Sequence, residues 1–371
     1  MGFFSLFLPS FLVLSAAVRV DVYTMGPGEE LFERYGHAAI CVIGDTGPAL
    51  CYNYGTTDFS MPPERLSWLF LRGKAPFWVS VERLSRMVRH YRREDRSIWV
   101  QHLPLTREEV DKIAAALAHD ALPENREYLY HHLFDNCTTR IRDIIDGALD
   151  GRLSADSAEP IEVSFRHLGE KAILDHPELI LLGDLFIGRR VDRAPTIYES
   201  MFLPDYLRRE IALRLEAPAE PVYVRRAPPP GRPAPVGGLG AWLILAGGVT
   251  VGLELLKRIG PRSRRFAQGL AVAGLVVLSL CVWGLMAISA VPELKLNEIA
   301  LLFLPSDFIL FGKGAFRSRY GMWRIIGVVI VLVLRVLHVF IQPLFGPAVL
   351  ALGLLAVAGM ARERRRERAS L

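Results

Sequence analysis

Cys137, His37 and Asn53 are the residues whose types and spacing could together perform nucleophilic chemistry in this chain. Cys137 lies in the run His131-His132-Leu133-Phe134-Asp135-Asn136-Cys137-Thr138-Thr139-Arg140. Ile141, Ile144, Ile145 and Leu149 recur at i, i+3, i+4 and i+8, which predicts a helix with one buried stripe, capped by Asp135 or Asn136. The unpaired N–H groups and positive dipole end of a helix start favour a thiolate over a thiol. The bland alternative is a small hydrophobe beneath a helix start. A nucleophile needs a matching base elsewhere in the chain.

His37 supplies one. It opens a predicted strand over 36–43, and Gly36 with the small Ala38 and Ala39 leaves room beside the ring. His37, Ala39 and Cys41 share one strand face. Gly44-Asp45-Thr46-Gly47-Pro48 reads as a hairpin turn into a second strand over 50–54. If Cys41 pairs near position 49, Asn53 falls opposite His37 and is a candidate for orienting the imidazole. Asp58 is the alternative orienting group, and a structural histidine is the alternative for His37 itself. A thiol, an imidazole and an amide restate the arrangement of papain-like enzymes, in which the histidine takes the thiol proton and later protonates the leaving group. Here the histidine precedes the cysteine, the order that a circular permutation of the papain fold would give.

The elements that must hold these groups belong to an α+β domain with a small antiparallel sheet. Asp21 to Gly28 reads as a strand ending in a Gly/Pro turn, and residues 63–95 and 106–119 look helical. Thr106-Arg107-Glu108-Glu109 before Val110, Ile113 and Leu117 is a helix start. Residues 160–215 alternate helix and loop signals without clear chemistry. Four cysteines are too few for a disulfide framework, but Cys41 and Cys51 could pair in an oxidising compartment, leaving Cys137 as the odd thiol. Cys281 lies within an apolar stretch.

Apolar residues are unevenly spread. Residues 1–17 read as a signal peptide, with an uncleaved N-terminal anchor as the alternative because a basic leader region is missing. Residues 18–225 have ordinary globular composition, and the proline-rich stretch 226–237 reads as a stiff linker. An α-helical transmembrane bundle is expected over 238–361, with spans near 238–256, 267–290, 297–312, 325–342 and 345–360, then a basic tail over 362–371. Lys257, Arg258, Arg262, Arg264 and Arg265 follow the first span, Lys313, Arg317, Arg319 and Arg324 the third, and Arg362 to Arg368 the fifth. The positive-inside rule then puts these loops in the cytoplasm and the 18–225 domain outside it. Asn297, Pro305 and Asp307 suggest a broken or re-entrant third span. Arg335 and His338 fall three apart in the fourth span, on one helical face; they could contact a lipid headgroup, pair with Asp307, or serve as helix–helix glue. The net charge of +5 is no nucleic-acid signature, since basic residues concentrate beside apolar stretches.

Tyr23-Thr24-Met25-Gly26-Pro27-Gly28, Tyr35-Gly36-His37-Ala38, Tyr52-Asn53-Tyr54-Gly55, Asp135-Asn136-Cys137-Thr138-Thr139-Arg140 and Met201-Phe202-Leu203-Pro204 resemble the motifs of the Lnb-type N-terminal periplasmic domain family. That family is similar to permuted NlpC/P60-like thiol enzymes of the papain fold. The resemblance implies lipoprotein N-acylation: an acyl chain moves from a phospholipid donor to the N-terminal amine of a lipoprotein acceptor at the cytoplasmic membrane. It implies Cys137 as nucleophile and His37 as base, with Asn53 third more by geometry than by motif. Tyr23, Tyr54, Asn136 and Arg140 are put forward as substrate-binding candidates from the same motifs. The chemistry calls for no metal or other cofactor, and adjacent His131 and His132, expected to point to different faces, speak against a zinc site. Two other readings stand beside this one. The domain could be a thiol hydrolase of peptidoglycan peptides or lipids, or a membrane-tethered binding module in which Cys137 is structural.

Overall fold

A computed structural model describes residues 17–58 and 60–358. They fall into two compact units, and the division is not a single cut after Arg225. One unit takes residues 17–58, 76–159 and 196–228; the other takes 60–75, 160–195 and 229–358. The expected signal segment and basic tail lie outside the described residues, except for Ala17, which already begins the first strand.

The first unit is α+β, built on an antiparallel sheet of seven strands. In chain order they are β1 (Ala17–Met25), β2 (His37–Gly44), β3 (Leu50–Thr56), β4 (Pro76–Arg83), β5 (Ile98–His102), β6 (Glu127–Leu129) and β7 (Glu220–Tyr223). Side by side the order is β6-β4-β3-β2-β1-β5-β7. The helix expected over 63–95 is instead two helices, Pro63–Leu71 and Leu84–Arg93, with β4 between them. Phe77 and Val79 are buried there at alternate positions, the period of a strand.

Alternation along the strands gives the sheet two apolar faces. Val20, Val22, Ala38 and Ile40 meet the helices Arg107–Asp120, Cys137–Ala148 and Pro204–Arg214 through Ile113, Leu117, Ile141, Ile145, Leu207 and Ile211. Tyr23, Met25, Ala39 and Cys41 meet the helix Leu84–Arg93 through Met87. Each such aliphatic side chain, once buried, contributes about 1.5–3 kcal/mol. Cys41 and Cys51 are directly opposed in the β2–β3 ladder and form a disulfide.

The second unit holds two helices long and apolar enough to cross a membrane, Gly238–Ile259 and Pro261–Ile288. Ala315–Val336 and the shorter Phe345–Val357 complete its apolar core. The segment expected as a third span is no α-helix. It is a chain of 3-10 turns, Pro292–Leu294, Glu298–Leu301 and Pro305–Phe311. Near its start Asn297 Nδ2 donates to the Leu185 carbonyl, and the Glu298 carboxylate accepts from the Ile341 and Gln342 amides. Near its end the Leu310 carbonyl accepts from Arg317 Nε, while Arg317 Nη2, Gln268 Nε2 and Lys257 Nζ reach the Ala358 and Val357 carbonyls. This irregular stretch thus runs antiparallel to Ala315–Val336, from one end of the bundle to the other.

Several of its buried polar groups are hydrogen-bonded, as buried non-helical backbone requires. Asp307, fully buried, accepts from Arg324 Nη2 at 3.0 Å and from the Tyr320 hydroxyl at 2.9 Å. Arg324, not Arg335 or His338, is therefore the partner of Asp307. The helix stops before His338, which takes a left-handed φ of 58° and donates its N–H to the Arg335 carbonyl, the closing bond of a helix C-terminus. Arg335 turns to the Gln342 carbonyl and does not share a helical face with His338.

Candidate active site

Asn136 is the residue that starts the cysteine helix. Its Oδ1 accepts from the Thr138 and Thr139 amides at 2.8 and 2.9 Å, and Thr139 Oγ1 accepts in return from the Asn136 amide. Its Nδ2 donates to the carbonyls of His132 and Phe202, tying the helix start to the loop just before it and to a distant stretch of chain. Every polar atom of Asn136 is thereby engaged, so it acts as a cap and anchor; the Met201-Phe202-Leu203-Pro204 motif supplies one of its acceptors. The Cys137 amide, first in the helix, has no acceptor among the described residues.

Gly55 lets this helix start come close to β3. At φ +82°, it sits in a bulge, and a Cβ there would lie 3.6 Å from the Cys137 Cβ. Gly36 has a different purpose from the space expected beside His37. Its φ is +78°, and a Cβ would meet the Met25 carbonyl oxygen at 2.7 Å.

His37 begins β2 at the end of the sheet, with its Nε2 3.3 Å from Asn53 Oδ1. Asn53 Nδ2 donates to Glu82 Oε1 at 3.4 Å, which fixes the amide with its oxygen toward the ring. The imidazole accordingly donates Nε2–H to Asn53 and presents Nδ1 as the proton acceptor. The Tyr91 ring stacks on the other side, its centroid 6.1 Å from that of His37.

The expected register needs correction. Cys41 pairs with Cys51 rather than near position 49, so Asn53 falls opposite Ala39 and reaches His37 along the diagonal. The shift is two residues, one full strand period, so Asn53 keeps the face on which His37 lies. Asp58, the other candidate orienting group, is exposed.

The thiol itself is perturbed. Burial works against its ionisation, but the charge and hydrogen bond of His37, the Thr138 hydroxyl and the Ala38 amide outweigh it, bringing Cys137 down to about 7. Burial lifts the phenols of Tyr128 and Tyr130 far above their ordinary range, and the nearby Cys137 charge adds to both. Tyr91 is raised too, first by burial and against Arg96. The sulfur therefore sits among neutral tyrosines, with His37 its dominant charged neighbour. These tyrosines were not legible as site residues; only the alternation of Tyr128 and Tyr130 hinted at a shared strand face.

The proposed substrate contacts have other places. Tyr23 is core, paired with Ala39 and Val100 in the sheet. Tyr54 is buried and donates its hydroxyl to Asp120 at 2.7 Å, on the face opposite Asn53. Arg140 forms a two-pronged ion pair with Asp135, its guanidinium 4.3 Å from the Tyr128 ring centre. It braces the loop before Cys137. His131 and His132 do not diverge as expected; their rings stack at 5.1 Å.

The sequence over residues 13–170, which carries His37, Asn53 and Cys137, matches the family of the Lnb N-terminal periplasmic domain. The chain carries an Lnb-type periplasmic domain. No curated protein and no solved structure gives a significant match. The family's periplasmic description and the two long apolar helices beyond the Lnb-type domain fit a membrane protein.

Proposed function

We propose that the Lnb-type domain is a cysteine acyltransferase of a permuted papain-like kind, moving an acyl chain from a phospholipid to the N-terminal amine of a lipoprotein. The observation that carries this reading is a helix-start thiol brought down to about 7 beside an imidazole whose far nitrogen is held by an amide. The Cys137 thiolate attacks the ester carbonyl, and the new oxyanion lies within reach of the unengaged Cys137 amide. The thiol proton, held on His37, passes to the departing lysophospholipid alcohol, leaving an acyl thioester. The lipoprotein amine then attacks the thioester and gives its proton to His37 as the thiolate leaves. Thiol, imidazole and amide end as they began.

The second unit would hold this domain at the cytoplasmic membrane, with five crossings of which the third is a string of 3-10 turns. Support comes from the antiparallel course of 292–311 and from the basic Lys257 and Arg317 gathered at one end of the bundle. The test is mass spectrometry of lipoprotein N-terminal peptides from cells carrying wild type, Cys137→Ala or His37→Ala. Both variants should lose N-acylation. Unchanged triacylation in both would overturn the reading, and release of free fatty acid without an acylated amine would make the domain a hydrolase.

A further inference from the structure

The helix Leu84–Arg93 has an outer face that the site chemistry does not use. Met87 is buried and Tyr91 stacks on His37, while Arg86, Arg89 and Arg93 recur on the exposed side at i, i+3 and i+7. Arg89 and Arg93 ion-pair with nothing among the described residues, and Arg86 comes only to 3.8 Å from Glu82. Arg92 and Arg93 suit the negative end of the helix dipole, but Arg86 and Arg89 gain nothing from it. Like charges at this spacing repel one another along a helix.

These side chains line a groove of about 520 Å³ with Glu82 and His90, a volume in the range of roughly 300–1,000 Å³ typical of small-molecule sites. An adjoining hollow shares Glu82, Arg86 and Arg89 and adds Leu50 and Val81, the latter exposed. Three guanidinium groups against the Glu82 carboxylate, beside an apolar flank, match a phosphate joined to hydrocarbon better than a bare anion. Glu82 is also the acceptor for Asn53, so the groove lies one hydrogen bond behind the imidazole's support.

We propose that this groove binds the phosphate headgroup of an anionic phospholipid. Its identity as the acyl donor rests on the acyltransferase reading; the binding does not. Full-length Cys137→Ala protein, released from zwitterionic micelles with equal amounts of phosphatidylglycerol and phosphatidylcholine, would be examined by native mass spectrometry. It should carry a retained phosphatidylglycerol adduct, favoured by roughly tenfold, a preference that weakens as salt rises. Arg89→Gln/Arg93→Gln should lose that adduct, and Arg89→Lys/Arg93→Lys should keep most of it. Retention of the same adduct and preference in the glutamine variant would overturn the proposal. So would displacement by millimolar inorganic phosphate, which would make the ligand a free anion. Failure of acyl transfer in wild-type cells would leave the adduct in place, whereas Arg89→Gln/Arg93→Gln made with Cys137 present should keep Cys137 alkylation intact.

Discussion

The helices Arg107–Asp120 and Cys137–Ala148 both open on a capping box, the first between Thr106 and Glu109, the second between Asn136 and Thr139. Glu108 and Glu109 occupy the opening turn of the first, and no acid stands in that of the second. The favourable field of a helix N-terminus is satisfied by carboxylates in one case and left to a thiol in the other. Stability and reactivity draw on the same field, and the choice of residue at the third helical position decides which receives it.

The largest expected effect that breaks this contrast is His37→Ala. Without the imidazole, the pH at which iodoacetamide alkylation of Cys137 is half-maximal should move from about 7 into the ordinary thiol range, and an unmoved profile would remove His37 from the site. In the intact protein the sign follows from a folded value near 7 against the ordinary thiol value of 9.0. Between them the native thiol has lost its proton while the unfolded one keeps it, so stability should rise with pH across that window and be lost as pH falls through about 7. Denaturant unfolding of wild type and Cys137→Ala at both ends of the window would show it.

Asn136→Ala comes next. It removes a cap and the anchors to His132 and Phe202, so unfolding should cost about 2 kcal/mol less, against about 1 kcal/mol for Thr106→Ala, whose side chain serves only its own helix start. Equal losses would mean the anchors add nothing. The smallest effect sharpens the comparison most. Thr139→Glu installs at the second helix the acid that the first already has, so the thiol should titrate higher, by a few tenths of a unit; because Thr139 is fully buried, the melting temperature should fall as well.

Much of this site was legible because short-range rules govern it. The buried stripe of Ile141 and Ile145, the helix start at Cys137 and the shared face of His37 and Asn53 follow from helical and strand periods alone. Register was not legible. A turn of uncertain length displaced the pairing by two residues, and a diagonal contact escaped an argument made on direct opposition. β4 was hidden because Phe77 and Val79 sit between helical stretches, where a short alternating run is overridden. The motifs suggest Tyr23, Tyr54, Asn136 and Arg140 as contacts with substrate, but a motif marks a need without saying whether it is chemical or architectural. Only tertiary partners such as Asp120 for Tyr54 and Phe202 for Asn136 decide that. In the apolar unit, composition marked the run 297–312 as hydrophobic enough for a span, but its helix was given up to bury Asn297, Glu298 and Asp307.

The Cys41–Cys51 bond joins the two strands that carry His37 and Asn53. A cross-link of this kind typically contributes about 2–4 kcal/mol. A chain still in a reducing environment lacks that brace between the strands of His37 and Asn53. The oxidation that supplies it also endangers the remaining thiol of the domain, which must emerge from the same step unpaired. Cys137, beside Tyr128 and Tyr130 and short of full exposure, is less open to that oxidation than a surface thiol. The cross-link ties the competence of the site to the place where folding finishes.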